Sequence, residues 1–301
     1  MTLPLAKDIY IFTDCDLDGA MCHTMMQWYT RSHIKYQVTR VDDFRSTFNR
    51  WASNNLDKFK IVYILDLDVS SCIDLVDKPN ITIIDHHDSH VTNRGKYKNA
   101  KVHIEKETSC AKLLYNILST SKVDFMTKEK RLLLGLVDDY DSYTLKTPIS
   151  RDLNTIFWSY QGDRVQKFIA DWNDGFNGFT SKHKRILDFK NKALIETIRE
   201  MEVYELEKFE YDEKIYSICS AVATTDINEV ASYLLNKYKC DISIIVNTNS
   251  KKVSFRKNKS TAVNLAHFAN KICGGAGHTD AAGGSFNDRF LEFSKLFNRI
   301  K

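Results

Sequence analysis

The sequence predicts an α/β protein of two domains: a larger N-terminal domain on a parallel sheet and a smaller α/β C-terminal domain, joined by a helical linker. Three observations carry this. Short apolar, β-branched runs at 9–12, 61–65 and 81–84 are separated by helix-length segments, the rhythm of βαβ units. Strand signals vanish between about 149 and 205, where the segment from Arg185 has apolar residues recurring at three and four. Strand signals then return and end in a glycine-rich segment, 274–284. A length of 301 residues suits two cores.

In order, 8–13 reads as a strand and 19–31 as a helix starting at Gly19; 44–53 is a second helix before the strand at 61–65. A third strand covers 81–84 and a fourth 101–104, with helices near 109–119 and 128–138. The domains are read as 1–185, a helical linker at 186–212, and 213–301. In the last, strands near 214–219, 241–247 and 251–256 alternate with helices near 226–238 and 261–271.

Composition is that of a globular protein, with 43 Lys and Arg against 39 Asp and Glu, a net of +4. Acid is concentrated in a few clusters, so the remaining surface is more basic than that net, which is compatible with a polyanionic substrate. Seven cysteines without a C-x-x-C pair argue against a structural zinc or a disulfide framework and for a reducing compartment. No apolar run approaches the roughly 18 residues a membrane span needs, and the N-terminus lacks the apolar region of a secretory signal. The expected location is the cytoplasm.

The chemistry-bearing residues lie where the strands end. Asp14, Asp16 and Asp18 follow the first strand, Asp66 and Asp68 the second, and Asp85-His86-His87 the third; Asp138, Asp139 and Asp141 close a helix. In open α/β sheets ligands gather outside the carboxyl ends of the strands, so these clusters are expected to converge. Crowded carboxylates repel unless a cation neutralises them, and carboxylate with imidazole suits Mn²⁺, Mg²⁺, Fe or Zn²⁺. Gly19 permits the tight turn that points Asp16 and Asp18 into one space. Asp66 can offer an oxygen to each of two cations, His86 a nitrogen, and Asp139 a carboxylate from the helical side. Two cations about 3.5–4 Å apart suit phosphate ester hydrolysis.

These motifs, in this order, resemble the DHH-type phosphoesterases, named for the Asp-His-His at 85–87, joined to a DHH-associated C-terminal domain whose signature resembles 274–283. The resemblance spans nearly the whole chain and extends to the nano-RNases and RecJ-like members. It implies Asp16, Asp18, Asp66, His86 and Asp139 as ligands of two ions, usually Mn²⁺ with Mg²⁺ as the alternative, Asp66 bridging them. His87 would face the scissile phosphate, with Asp85 orienting a histidine. Many members carry a histidine where Phe12 stands here; RecJ-like members carry a D-x-D-x-D-G string, which 14–19 resembles, so Asp14 is counted among the ligands. Gly274, Gly275, Gly277 and His278 resemble the family's phosphate cradle, and Arg256 its phosphate-binding arginine.

His23, His33, His90, His103 and His267 are read as ordinary core or surface residues, and the aromatic stretch Phe157-Trp158-Ser159-Tyr160, with Trp172, Phe176 and Phe179, mainly as core, with base-stacking platforms as the alternative. The function expected is release of nucleoside monophosphates from short oligonucleotides. Cyclic dinucleotides, 3′-phosphoadenosine-5′-phosphate and single-stranded DNA are the rival substrates, and an inactive nucleotide-binding protein is the rival of another class.

Overall fold

The structure, a computed structural model, describes residues 6–106, 108–121, 124–277 and 279–300. The chain divides into two compact units, Met1–Leu187 and Asp188–Lys301. No helix among the described residues is long and apolar enough to cross a membrane, and all seven cysteines are free.

The first unit runs β1 (Ile9–Thr13), α1 (Leu17–Thr30), β2 (Lys35–Val38), α2 (Val41–Asn55), β3 (Ile61–Leu65), α3 (Ile73–Val76), β4 (Ile81–Asp85), α4 (Asp88–Asn93), β5 (Lys101–Ile104), α5 (Cys110–Ser119), α6 (Lys128–Asp141), α7 (Pro148–Ser159) and α8 (Arg164–Trp172). Helix α9 (Ser181–Glu200) contains the boundary. The five strands are all parallel, in the order β2-β1-β3-β4-β5. In this order the chain reverses direction of winding between β1 and β3, the switch point at which such sheets bind ligands.

Alternation along the strands divides two cores. Ile9 and Ile11 pack on one face with α1, α5 and α6, whereas Tyr10 and Phe12 pack on the other with Phe44 and Phe48 of α2. Phe12 is fully buried, its ring centroid 5.0 Å from that of Trp51 and 5.4 Å from that of Phe48. The position at which a metal-ligating histidine was sought is thus committed to packing. Strand β2 escaped the sequence reading because Lys-Tyr-Gln-Val at a sheet edge alternates exposed and half-buried residues and has no apolar run.

The second unit comprises β6 (Val203–Tyr211), β7 (Lys214–Val222), α10 (Ile227–Tyr238), β8 (Ile242–Asn247), β9 (Lys252–Lys257), α11 (Leu265–Cys273), β10 (Ala276–Gly277), β11 (Ala281–Ser285), α12 (Asp288–Ser294) and β12 (Asn298–Arg299). Its mixed sheet has the order β10-β11-β9-β8-β7-β6-β12, with only β7 and β8 parallel. The span read as a helical linker, 186–212, is helix only to Glu200, and its second half is β6. A register shift between Leu206 and Phe209 explains the miss: Leu206 packs on the same core as Phe209 and Tyr211 although it lies an odd number of residues from both, which disguises the period of two.

Truncating Phe12 to Ala should destabilise the protein by about 3–5 kcal/mol, the usual cost of emptying a buried aromatic site. Urea unfolding measures it, and a change within error would show that the aromatic layer is not packed as described.

Candidate metal centre

The carboxyl ends of β1, β3 and β4 and the end of α6 bring acids and histidines to one place. His86 Nε2 lies 3.3 Å from Asp66 Oδ1 and 3.4 Å from Asp141 Oδ2. Ligand atoms of Asp18, His86 and Asp141 lie within 4.8 Å of one another, as do those of Asp66, His86 and His87. Two oxygens in this group, Asp66 Oδ2 and Asp141 Oδ2, are buried and make no hydrogen bond, although His86 Nε2 stands 3.4 Å from the second. A buried acceptor without a donor is costly, and a cation is the partner that would satisfy both oxygens.

Local geometry explains how each acid arrives. Asp66 has φ +60°, a left-handed conformation that costs on the order of 1 kcal/mol and turns the chain sharply after β3; its N–H donates to Ile84 O at 3.0 Å. Asp16 caps α1, its Oδ1 accepting from Gly19 N at 2.9 Å. A Cβ on Gly19 would stand 2.5 Å from Asp14 O, so only glycine allows this turn. Asp18 does not cap its own helix: its two oxygens accept from Cys110 N at 2.7 Å and Ala111 N at 3.0 Å, at the start of α5. Asp14 Oδ1 accepts from Cys15 N at 2.6 Å.

The charges are mutually unfavourable. Burial first, then the Asp16 charge, raises the Asp18 pKa to about 8 and that of Asp14 to about 6. Burial, with Asp16 and Asp18 beside it, raises Asp66 well above the carboxylate range, and burial with Asp18 and Asp16 does the same for Asp141.

Asp139 was expected to ligate, and its surroundings point elsewhere. Its Oδ1 accepts from Thr144 Oγ1 at 2.6 Å and Lys146 N at 2.8 Å, and its Oδ2 from Ser150 Oγ at 2.7 Å and Thr147 N at 3.3 Å. Burial opposes its charge, yet these donors hold its pKa below the usual range. Asp139 is an anion already satisfied by the turn after α6; Asp141, two residues on, is not. Position at a helix end could not decide between them from sequence, because the turn that folds back onto Asp139 is set by 144–150.

Behind the cluster, Asp85 is fully buried and each of its oxygens meets a histidine: Oδ1 with His87 Nδ1 at 2.7 Å and Oδ2 with His90 Nδ1 at 2.7 Å. His90 Nε2 meets Tyr97 Oη at 2.7 Å. Burial opposes the Asp85 charge, but the two histidines hold its pKa far below the usual range. Burial lowers the His87 pKa, and the Asp85 contact more than offsets it, to about 9. His90, read as an ordinary core histidine, is therefore part of the support of this site; no sequence signal marks it beyond its presence five residues after Asp85.

In the second unit, Arg256 Nη2 donates to Asn228 Oδ1 at 2.6 Å and Nη1 to Phe255 O at 2.7 Å, while its buried Nε has no partner. The glycines serve mainly packing. Gly274 ends α11 at φ +68°, and a Cβ on Gly275 would stand 2.2 Å from Gly283 O. The N–H groups of Gly274 and Gly275 donate to Asn270 O and Ala269 O, so neither is available to an anion, contrary to the cradle expected of them. Gly277 belongs to the β10–β11 pair, where a Cβ would stand 2.5 Å from Ala282 Cα. His278 lies outside the described residues.

Comparison with known proteins agrees with this architecture. Residues 212–300 match the DHHA1 domain. No curated protein matches the chain. Among solved structures, the pGpG-specific phosphodiesterase PggH from Vibrio cholerae aligns at 14% identity with a TM-score of 0.56, covering 95% of this chain and 96% of that one. An exopolyphosphatase-related protein from Bacteroides fragilis aligns at 13% identity and 0.53, covering 96% and 89%. Exonuclease RecJ bound to manganese aligns at 11% identity and 0.56, covering 97% and 90%. At these identities the likeness is one of fold.

Two outcomes are expected. Asp141→Asn should weaken Mn²⁺ binding at least tenfold while leaving the fold intact, and Asp139→Asn should lower thermal stability with a smaller effect on Mn²⁺; calorimetry and thermal melts on both variants decide, and the opposite assignment would restore Asp139 as the ligand. A carboxyl with a raised folded pKa contributes stability below its unfolded value and loses it as pH rises through the folded one. These acids should therefore destabilise the metal-free protein increasingly from about pH 4 to 8, and a cation that displaces their protons should bind more tightly over the same window. The gain in Tm on adding Mn²⁺ should thus grow from about pH 5 to 8; a gain that shrinks would contradict the shifts.

Proposed function

We propose that this chain, a DHHA1-domain member of the DHH phosphoesterase superfamily, is a Mn²⁺-dependent phosphodiesterase that releases nucleoside monophosphates from short oligonucleotides. The observation that carries the reading is the paired orphan oxygens of Asp66 and Asp141 around His86 at the sheet's switch point. Asp16, Asp18, Asp66, His86 and Asp141, with Asp14 beside them, would hold two divalent cations. Bound cations supply acidification of water and charge stabilisation at phosphorus.

The chain's own residues do the rest. Asp85 fixes the His87 ring through Nδ1, and His90 and Tyr97 fix Asp85 in turn, so that His87 faces the scissile phosphate with a set orientation. A protonated His87 there would hold a non-bridging oxygen or give its proton to the leaving oxygen. Arg256, clamped by Asn228, would bind a substrate phosphate. The short-substrate reading is supported by PggH, named for a linear dinucleotide and of nearly the same extent as this chain.

Asp66→Asn should lower kcat by on the order of 10²-fold or more, the scale seen when one electrostatic partner of a transition state is lost. Linear dinucleotides, longer RNA and DNA, cyclic dinucleotides and 3′-phosphoadenosine-5′-phosphate, assayed side by side with Mn²⁺, should show the highest kcat/KM on the dinucleotides. A preference for any other class would replace the substrate named here, and no Mn²⁺-dependent turnover of any of them would leave a nucleotide-binding protein.

A further inference from the structure

Beside the acidic loop after β1 lies a groove lined wholly by the first unit. A cavity of about 650 Å³ is walled by Arg40, Arg50, Arg164 and Trp158, and a neighbouring one of about 440 Å³ shares Arg164 with it. Cys15, between Asp14 and Asp16, lines both. The groove thus opens at the carboxyl end of β1 next to the metal centre; Thr39 N donates to Thr13 O at 3.0 Å and holds the start of α2 there.

The lining is chemically specific. Of the aromatic stretch at the end of α7, Phe157 and the following Tyr160 are buried in the core, but Trp158 stays 45% exposed even with the Arg164 guanidinium 4.8 Å from its ring centroid. The arginine ion pairs among the described residues use Arg45, Arg199 and Arg299, and none uses the three arginines of the groove. Arg164 Nε is buried without a partner. Against these three cations stands one lining carboxylate in the larger cavity, Asp43. In the smaller cavity Asp163 is engaged, accepting from Tyr36 Oη at 2.8 Å and Gln166 N at 3.0 Å. An exposed indole flanked by unpaired guanidinium groups matches a flat aromatic base carrying a phosphate.

We propose that this groove is a nucleotide subsite, in which Trp158 stacks on a nucleobase while Arg40, Arg50 and Arg164 take its phosphate. The identification of that nucleotide as part of the substrate or as the released product rests on the phosphodiesterase reading. The subsite makes the first unit selective for base-bearing phosphates over bare ones.

Calorimetry on the full chain with AMP, ribose 5-phosphate and inorganic phosphate tests this. The wild type should bind AMP about tenfold more tightly than ribose 5-phosphate, the scale of one base-aromatic stack. Trp158→Ala should abolish that ratio by weakening AMP alone, and Trp158→Phe should restore most of it. Arg164→Ala and Arg50→Ala should weaken AMP and ribose 5-phosphate alike. Equal affinity of the wild type for the two ligands, or a ratio unchanged in Trp158→Ala, would overturn the subsite. Hydrolysis of a linear dinucleotide with Mn²⁺, measured in parallel, separates the two readings. Turnover without the Trp158-dependent ratio removes the subsite and keeps the phosphodiesterase; the ratio without turnover does the reverse.

Discussion

Carboxylates crowded into a buried space around one imidazole are the constraint on which the rest of the N-terminal unit depends. Asp18 and Asp141 offer atoms within 4.8 Å of one another and of His86. At about 5 Å, two unit charges in an effective dielectric of roughly 20 repel by about 3 kcal/mol. That is a large fraction of the total stability of a domain, so without a cation some of these groups must hold protons, which is the direction in which Asp18, Asp66 and Asp141 are shifted. The fold spends local strain to assemble them: Asp66 at positive φ, and a turn that only Gly19 fits. Such an arrangement makes sense as a cation site and has no evident value as a structural element.

Much of this was legible because parallel sheets impose simple rules. Apolar runs marked the three central strands, and acids at their ends had to meet, since the sheet order places β1 beside β3 and β3 beside β4. What sequence could not resolve was which acid on α6 turns inward. Asp139 and Asp141 differ in what the following turn donates to them, and hydrogen bonds from Thr144, Lys146, Thr147 and Ser150 cannot be read from spacing. The same limit hid His90, whose link to Asp85 depends on how α4 leaves β4. Phe12 shows the converse: a position matched by motif to a ligand is, in the fold, part of an aromatic layer with Phe44, Phe48 and Trp51.

In the second unit a motif likewise concealed two kinds of requirement. Gly274 ends α11 at positive φ, and Gly275 and Gly284 fit α11 against the β10–β11 pair, where a Cβ on Gly284 would stand 2.2 Å from Cys273 Sγ. A glycine-rich string is thus as much a packing device as a ligand device. Arg256, held from one side by Asn228, keeps the stronger claim to an anion. Of the basic groove only the aromatic stretch with Trp158 stood out in the sequence; the arginines around it come from the start of α2, from α2 itself and from α8, and meet it only in the fold.

The assignment of Asp66, His86 and Asp141, rather than Asp139, as holders of divalent cations can be seen directly in a metal-bound crystal. Anomalous diffraction from crystals soaked in Mn²⁺ should give two peaks about 3.5–4 Å apart, with carboxylate oxygens of Asp66 and Asp141 and the His86 ring nitrogen in their coordination shells. Peaks coordinated by Asp139, or none among these side chains, would contradict it.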